Sequence, residues 1–176
     1  MNWIAFAILT YVLCVLQTTL MAVIGIQHVR PDLLILVGVF YALFARQPDA
    51  LLACWILGLA ADLCGLSLHD RGGVGAHALT YGLCAMLTCR LRELVFREHL
   101  LTYVVSVVLW TLLASAALAA HLAWAMREWD RFNVGLLYGI YAAGYTAFFA
   151  PYAHWILRRA RPLLGLEAVR SFRVKP

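Results

Sequence analysis

Acidic and imidazole side chains gather near the end of an apolar run, where their chemistry would suit a metal. Asp62 lies inside "CWILGLAADLCG", and His69, Asp70 and His77 follow it. Zinc is commonly held by four such ligands, often with two histidines on one helix face. Here His69 and His77 straddle a glycine turn, and no HxxxH pair is present. We therefore predict no metal site and interpret His77 as a helix-start or interface residue.

The same aspartate belongs to a predicted polar cluster with Arg30, Pro31, Asp32 and Arg71. A charge at the centre of a membrane span costs about 2.5 kcal/mol or more, so such groups usually face protein or water. One hypothesis is that Asp62 caps a helix end or pairs with Arg30 or Arg71. The other is a ligand or proton site. We favour the structural hypothesis, because there is no second carboxylate deep within a span.

The common catalytic motifs are absent from the sequence. The sequence contains no Gly-x-Ser-x-Gly, no HExxH and no phosphate-binding loop. "GVGAHA" begins like a glycine fingerprint but follows a loop in an apolar region, without the strand that such a motif needs. We predict no catalytic residues, no cofactor and no enzymatic activity.

The elements that must position these residues are membrane helices. Of 176 residues, 64% are hydrophobic and 13% are charged, against about 45–50% and 25% in soluble domains. The net charge of +5 does not indicate nucleic acid, since the basic residues lie between apolar runs and in the tail. The sequence predicts an all-α domain over 1–157 and a basic cytoplasmic tail over 158–176. The predicted spans are about 3–26, 32–45, 50–68, 74–89, 100–126 and 134–157.

The distribution of arginines predicts the orientation of this bundle. With six spans, ten of the 14 basic residues fall on the side of both termini and the second and fourth loops, and four on the other. Such a bias places both termini in the cytoplasm. The second run is short for a crossing, so it must be shielded by neighbours, tilt little or thin the bilayer.

Small residues recur along the last two spans and predict close helix packing. Either these faces pack within the bundle, which we favour, or one of them receives a partner helix. The residues are Ser115, Ala119 and Ala123 in the fifth span, and Gly135, Gly139, Ala143 and Ala147 in the sixth.

The five cysteines all lie in apolar stretches, without a CxxC pair. Their odd number and spacing indicate neither a disulfide framework nor a zinc site. We interpret them as small packing residues. The basic tail is predicted to hold anionic lipids, at about 1 kcal/mol per nearby charge.

The chain resembles the rod shape-determining MreD family in three stretches that occur in the same order. They are "RPDLLILVGVFYAL", "GLAADLCG" and "GVGAHALTYGLCAMLTCRLRE". The resemblance covers about residues 29–95. The link "GLSLHDRGGVG" is longer than the family's usual turn and lacks its proline. The matching positions are Arg30, Pro31, Asp32, Gly58, Leu59, Asp62, Gly65, Gly75 and Ala78.

This resemblance implies a non-catalytic scaffold of the bacterial cell-elongation complex, which builds peptidoglycan, in the inner membrane. Its implied partner is MreC, and through MreC the actin-like MreB, the polymerase RodA and its transpeptidase. It also implies a six-helix fold similar to the substrate-binding subunits of energy-coupling-factor transporters. The alternative function is therefore a small-solute-binding transporter subunit. Helix one has Ala5 and Ala7 but no Ala-x-x-x-Ala face for a coupling partner, which disfavours that alternative.

Overall fold

The computed structural model describes residues 1–24, 29–64, 75–92, 99–127 and 129–166, and these residues are folded into helices with short connections. The prediction of an all-α fold is confirmed for this part of the chain. The helices are α1 (Trp3–Ile24), α2 (Leu33–Phe44), α3 (Gln47–Leu63), α4 (Ala76–Leu91), α5 (Leu100–Met126) and α6 (Asp130–Ala160).

Helix lengths differ widely along the chain. Within the described residues, Leu100–Ala125 and Phe132–Ala160 are long and apolar enough to cross a membrane by length and composition, while Trp3–Thr19 and Leu33–Phe44 are shorter apolar stretches. At 1.5 Å per residue, α2 is only about 18 Å long, against a hydrocarbon core of about 30 Å. Six crossings stay a prediction.

The shortest helix is the most deeply buried. Every residue from Leu34 to Leu43 is buried, and α2 packs against all five other helices. Of the ways in which so short an apolar run can be accommodated, the structure uses shielding by neighbours. The backbone groups at its two ends still need partners, because the first N–H groups and the last carbonyls of a helix have none within the helix.

The helix boundaries follow from local sequence. α3 begins before the predicted third span because Pro48 and Asp49 lie in its first turn, where a missing N–H costs nothing and a negative charge suits the helix dipole. α6 extends beyond the predicted sixth span at both ends and contains Pro151 in its interior.

The two ends of the described chain meet on one side of the bundle. The Asn2 N–H donates to the Leu164 carbonyl at 3.0 Å, and Leu164 and Leu166 are buried against the core. Gly165 makes this turn with a φ of +64°, a left-handed conformation that glycine adopts without strain. The start of α1 and the end of α6 therefore share a side.

Candidate functional site

Asp62, at the end of α3, binds the start of α4. Its Oδ2 accepts hydrogen bonds from the Gly75 N–H at 2.8 Å and the Ala78 N–H at 3.3 Å. Its Oδ1 accepts from the His77 N–H at 3.2 Å. The first N–H groups of a helix have no partner inside the helix. Asp62 therefore acts as a cap supplied by another helix, and its negative charge lies at the positive end of the α4 dipole.

The His77 side chain completes the shell around this carboxylate. Its Nδ1 lies 2.7 Å from Asp62 Oδ1, and the two side chains are 8% and 4% exposed. A buried polar group that lacks a partner costs about 1–3 kcal/mol. Each of these two side chains supplies the partner that the other needs.

Gly58 explains how α3 comes close enough to α4 for this cap to form. It lies one turn before Asp62 on α3. A Cβ atom at Gly58 would lie 2.5 Å from the Ala78 Cα and 2.6 Å from the His77 carbonyl oxygen. Both are backbone atoms, so any larger residue would push the two helices apart. Gly75 precedes α4 with a φ of +112°, which requires glycine on conformational grounds.

Asp32 caps a helix in the usual way and also binds a second helix. Its Oδ1 accepts from the N–H groups of Leu34 and Ile35 at 2.9 and 3.1 Å, at the start of α2. Its Oδ2 accepts from the Tyr81 hydroxyl of α4 at 2.7 Å. Tyr81 is fully buried, so this bond satisfies its hydroxyl and joins α2 to α4.

Two more side chains complete the start of α2. Gln17 of α1 donates from Nε2 to the Pro31 carbonyl at 2.8 Å and accepts at Oε1 from the Leu33 N–H at 2.9 Å. Thr146 of α6 accepts from the Asp32 N–H at 3.2 Å. Side chains from α1, α4 and α6 thus contact this one buried helix end.

The two aspartate sites are joined through α4. His77 and Tyr81 are one turn apart on that helix, and their rings meet edge to face at 6.2 Å. We refer to Gln17, Asp32, Asp62, His77 and Tyr81 together as the aspartate junction. It connects four helices through hydrogen bonds to which both oxygens of each carboxylate contribute.

The structure places the residues of the predicted polar cluster in different environments. Asp32 and Asp62 both belong to the aspartate junction. Pro31 is buried and Arg30 is exposed, and among the described residues the partners of Asp62 are the His77 imidazole and the α4 backbone. Arg71 and the motif residue Gly65 lie outside the described residues.

The opposite end of α2 is held by cations. Arg92, after α4, donates from Nη1 to the carbonyls of Ala42 and Ala45. The guanidinium of Arg161 lies 3.6 Å from the centre of the Phe44 ring. Positive charge at a helix C-terminus complements its dipole, so both ends of the short helix are satisfied by side chains from elsewhere.

The small faces of α5 and α6 pack against each other. A Cβ at Gly139 would lie 2.5 Å from the Ser115 Cβ, and one at Gly135 would lie 2.8 Å from the Ala119 Cβ. Ala123 and Ala143 are also buried, and Ala147 is partly buried. At these contacts the two faces meet within the chain, so they are not open to a partner.

An open groove lies between α3, α4 and α5, beside the aspartate junction. Its volume is about 400 Å³. Small residues form much of its wall, with Trp55, His121 and aliphatic side chains at its sides. The small lining residues are Gly75, Ala76, Ala78 and Ala117.

Among the described residues, no group of three or more His, Cys, Asp or Glu side chains is arranged to hold a metal ion. His69 and Asp70 lie outside those residues.

Sequence reasoning missed three members of the site. Gln17 is the one with a visible signal, because it interrupts the apolar run of α1 and would need a partner there. Tyr81 and Thr146 lie in runs where a tyrosine or threonine is unremarkable, so only the fold reveals their role.

Comparisons with known proteins identify a relationship for most of the chain. The family model described as rod shape-determining protein MreD matches residues 1–134. No curated protein matches the chain, and no solved structure matches it. The matched region includes both aspartates and all of α1 to α5.

Proposed function

This chain belongs to the rod shape-determining protein MreD family, and from that membership we propose that it is a non-catalytic scaffold of the bacterial elongation machinery. The family is one of membrane proteins that determine rod shape. The proposed location is the inner membrane, with six crossings and both termini in the cytoplasm. The arginine bias and the contact between the two chain ends support this orientation.

The observation that carries the proposal is the use of the two carboxylates. In Asp32 and Asp62, all four oxygens accept hydrogen bonds from the chain itself. A carboxylate that acts as a base or ligand must present an oxygen to its substrate. These two instead fix where α2 and α4 begin, which is the role expected of a scaffold.

The proposed partner is MreC, and its proposed binding site is the groove between α3, α4 and α5. Association of helices in lipid depends on close van der Waals contact, which small residues permit. Gly75, Ala76, Ala78 and Ala117 offer such a surface, whereas the small faces of α5 and α6 are already packed together. Through MreC the chain would connect to MreB, RodA and its transpeptidase.

Depletion of the protein in the bacterium that carries it tests this function. The expected result is loss of rod shape and an increase in cell width, restored by the wild-type gene. Cells that keep their shape and width after depletion would contradict the proposal. Binding of a vitamin by the purified protein would instead favour the transporter alternative.

A further inference from the structure

A histidine lies in the wall of the groove between α3, α4 and α5. His121 lines this groove together with Ala117, which precedes it by one turn on α5, and its side chain is exposed. It also belongs to Leu100–Ala125, the stretch of α5 that is long and apolar enough to cross a membrane. A polar side chain within a membrane-capable helix is therefore open to whatever fills the groove.

The polar groups around the groove differ in how they are satisfied. Thr80, which also lines it, donates to the Ala76 carbonyl of its own helix at 2.7 Å. His77, on the other side of α4, is bound to Asp62. The imidazole of His121 makes no hydrogen bond with any residue that the structure describes. A polar group in apolar surroundings costs free energy unless it has a hydrogen-bonding partner, so a suitable occupant of the groove would gain by supplying one.

The wall of the groove opposite His121 is held in place by the aspartate junction. Gly75 and Ala78 line the groove, and their N–H groups donate to Asp62 at 2.8 and 3.3 Å. Small residues allow another helix to approach closely in lipid. The groove thus combines a fixed surface of small residues on α4 with a hydrogen-bonding side chain on α5.

We propose that His121 donates a hydrogen bond to an acceptor side chain on the membrane helix of the partner. This inference rests on the proposed function, in which MreC occupies the groove. A neutral imidazole has one N–H donor and a protonated imidazole has two, so a donor is present in either state. The matching group is a carboxylate, amide or hydroxyl oxygen. A helix that is apolar at this position would leave the imidazole unsatisfied and would bind less tightly, which makes His121 a specificity residue.

Two substitutions separate hydrogen bonding from packing. His121→Phe keeps a planar ring but has no N–H, whereas His121→Gln loses the ring but keeps N–H donors. We expect recovery of MreC with the tagged chain to fall about three- to twentyfold in His121→Phe, the range for hydrogen bonds between membrane helices. Recovery with His121→Gln should stay near the wild-type level. Ile140→Phe is the matched control, because Ile140 is exposed on α6 and does not line the groove, and it should leave recovery unchanged.

The outcomes separate this inference from the proposed function. Equal recovery with the wild-type chain, His121→Phe and His121→Gln would show that the imidazole does not contact the partner. Recovery with His121→Gln as low as with His121→Phe, or lower, would assign the effect to the shape of the ring. Either result overturns the hydrogen bond and leaves the scaffold function standing. Failure to recover MreC with the wild-type chain would overturn the function and this inference with it.

Photo-crosslinking identifies the residue that faces His121. With p-benzoylphenylalanine in place of His121, we expect a crosslink to the membrane helix of MreC, within one turn of a residue whose side chain carries an oxygen acceptor. The same amino acid in place of Ile140 should give no such crosslink. Absence of crosslinked MreC from position 121, or a crosslink to a stretch of helix with apolar side chains only, would overturn the proposal.

Discussion

Replacement of Asp62 by alanine removes the acceptor for four donors at the start of α4. These are the N–H groups of Gly75, His77 and Ala78 and the Nδ1 of His77. Each buried donor left without a partner costs about 1–3 kcal/mol, and water that reaches the end of α4 recovers part of this. We expect a loss of about 3–5 kcal/mol, because several of these donors lose their acceptor at once.

The Asp62→Asn variant should lose less stability than Asp62→Ala. Asp62→Asn keeps one acceptor oxygen but turns an NH₂ group toward backbone donors, so we expect a loss of about 2 kcal/mol. Asp49→Asn makes the same change in the first turn of α3 and is the matched control, with a loss of less than about 1 kcal/mol.

The assay is equilibrium unfolding in mixed detergent micelles, followed by circular dichroism, with hydrogen exchange of the α4 amides. A loss of 4 kcal/mol is about a 10³-fold change in the unfolding constant. Exchange at Gly75, His77 and Ala78 should accelerate in Asp62→Ala and stay unchanged in Asp49→Asn. If Asp62→Ala and Asp49→Asn have the same stability and the same rates of amide exchange in α4, then Asp62 does not cap α4 and the reasoning fails.

Three further substitutions test the same packing. Tyr81→Phe should cost about 1.5 kcal/mol, because it removes a hydrogen bond to a carboxylate; unchanged detergent unfolding would show that the bond does not form. Gly58→Ala should cost about 1–3 kcal/mol, whereas Gly82→Ala, with its nearest atom at 3.8 Å, should be neutral or stabilising; equal stability of the two variants would contradict the close approach of α3 to α4. Gly139→Ala should lower the thermal midpoint and Gly144→Ala, with no atom within 4 Å, should not; the reverse order would mean that α6 presents its other face to α5.

The importance of Asp62 was readable from sequence, but its partners were not. A carboxylate in an apolar run needs a hydrogen-bonding or charged partner. The structural hypothesis therefore had Asp62 either cap a helix end or pair with an arginine. The donors lie 13 to 16 residues further on, a separation that local sequence patterns do not bridge. Charge alone pointed to arginine as the partner, and did not indicate the backbone N–H groups and the imidazole that bind Asp62 among the described residues.

For the short second span, too, the sequence predicted a requirement but not the residues that meet it. Its length predicted shielding by neighbours, little tilt or local thinning of the bilayer, and the burial of Leu34 to Leu43 shows shielding. The identity of the groups at its ends did not follow, because Gln17 lies on α1, Thr146 lies on α6 and Arg92 follows α4. Such contacts depend on how the helices are arranged, which hydrophobic periodicity alone does not specify.

Recovery of MreC with the affinity-tagged chain from mildly solubilised membranes tests the scaffold function most directly. Ala117→Trp fills the groove with a bulky ring at an exposed position, and Ala125→Trp makes the same change on α5 outside it. We expect MreC to be recovered with the wild-type chain and with Ala125→Trp, and at least about tenfold less with Ala117→Trp, a loss of about 1.4 kcal/mol in binding. No MreC with the wild-type chain would contradict the proposed function, and equal recovery with both variants would contradict the groove as its seat.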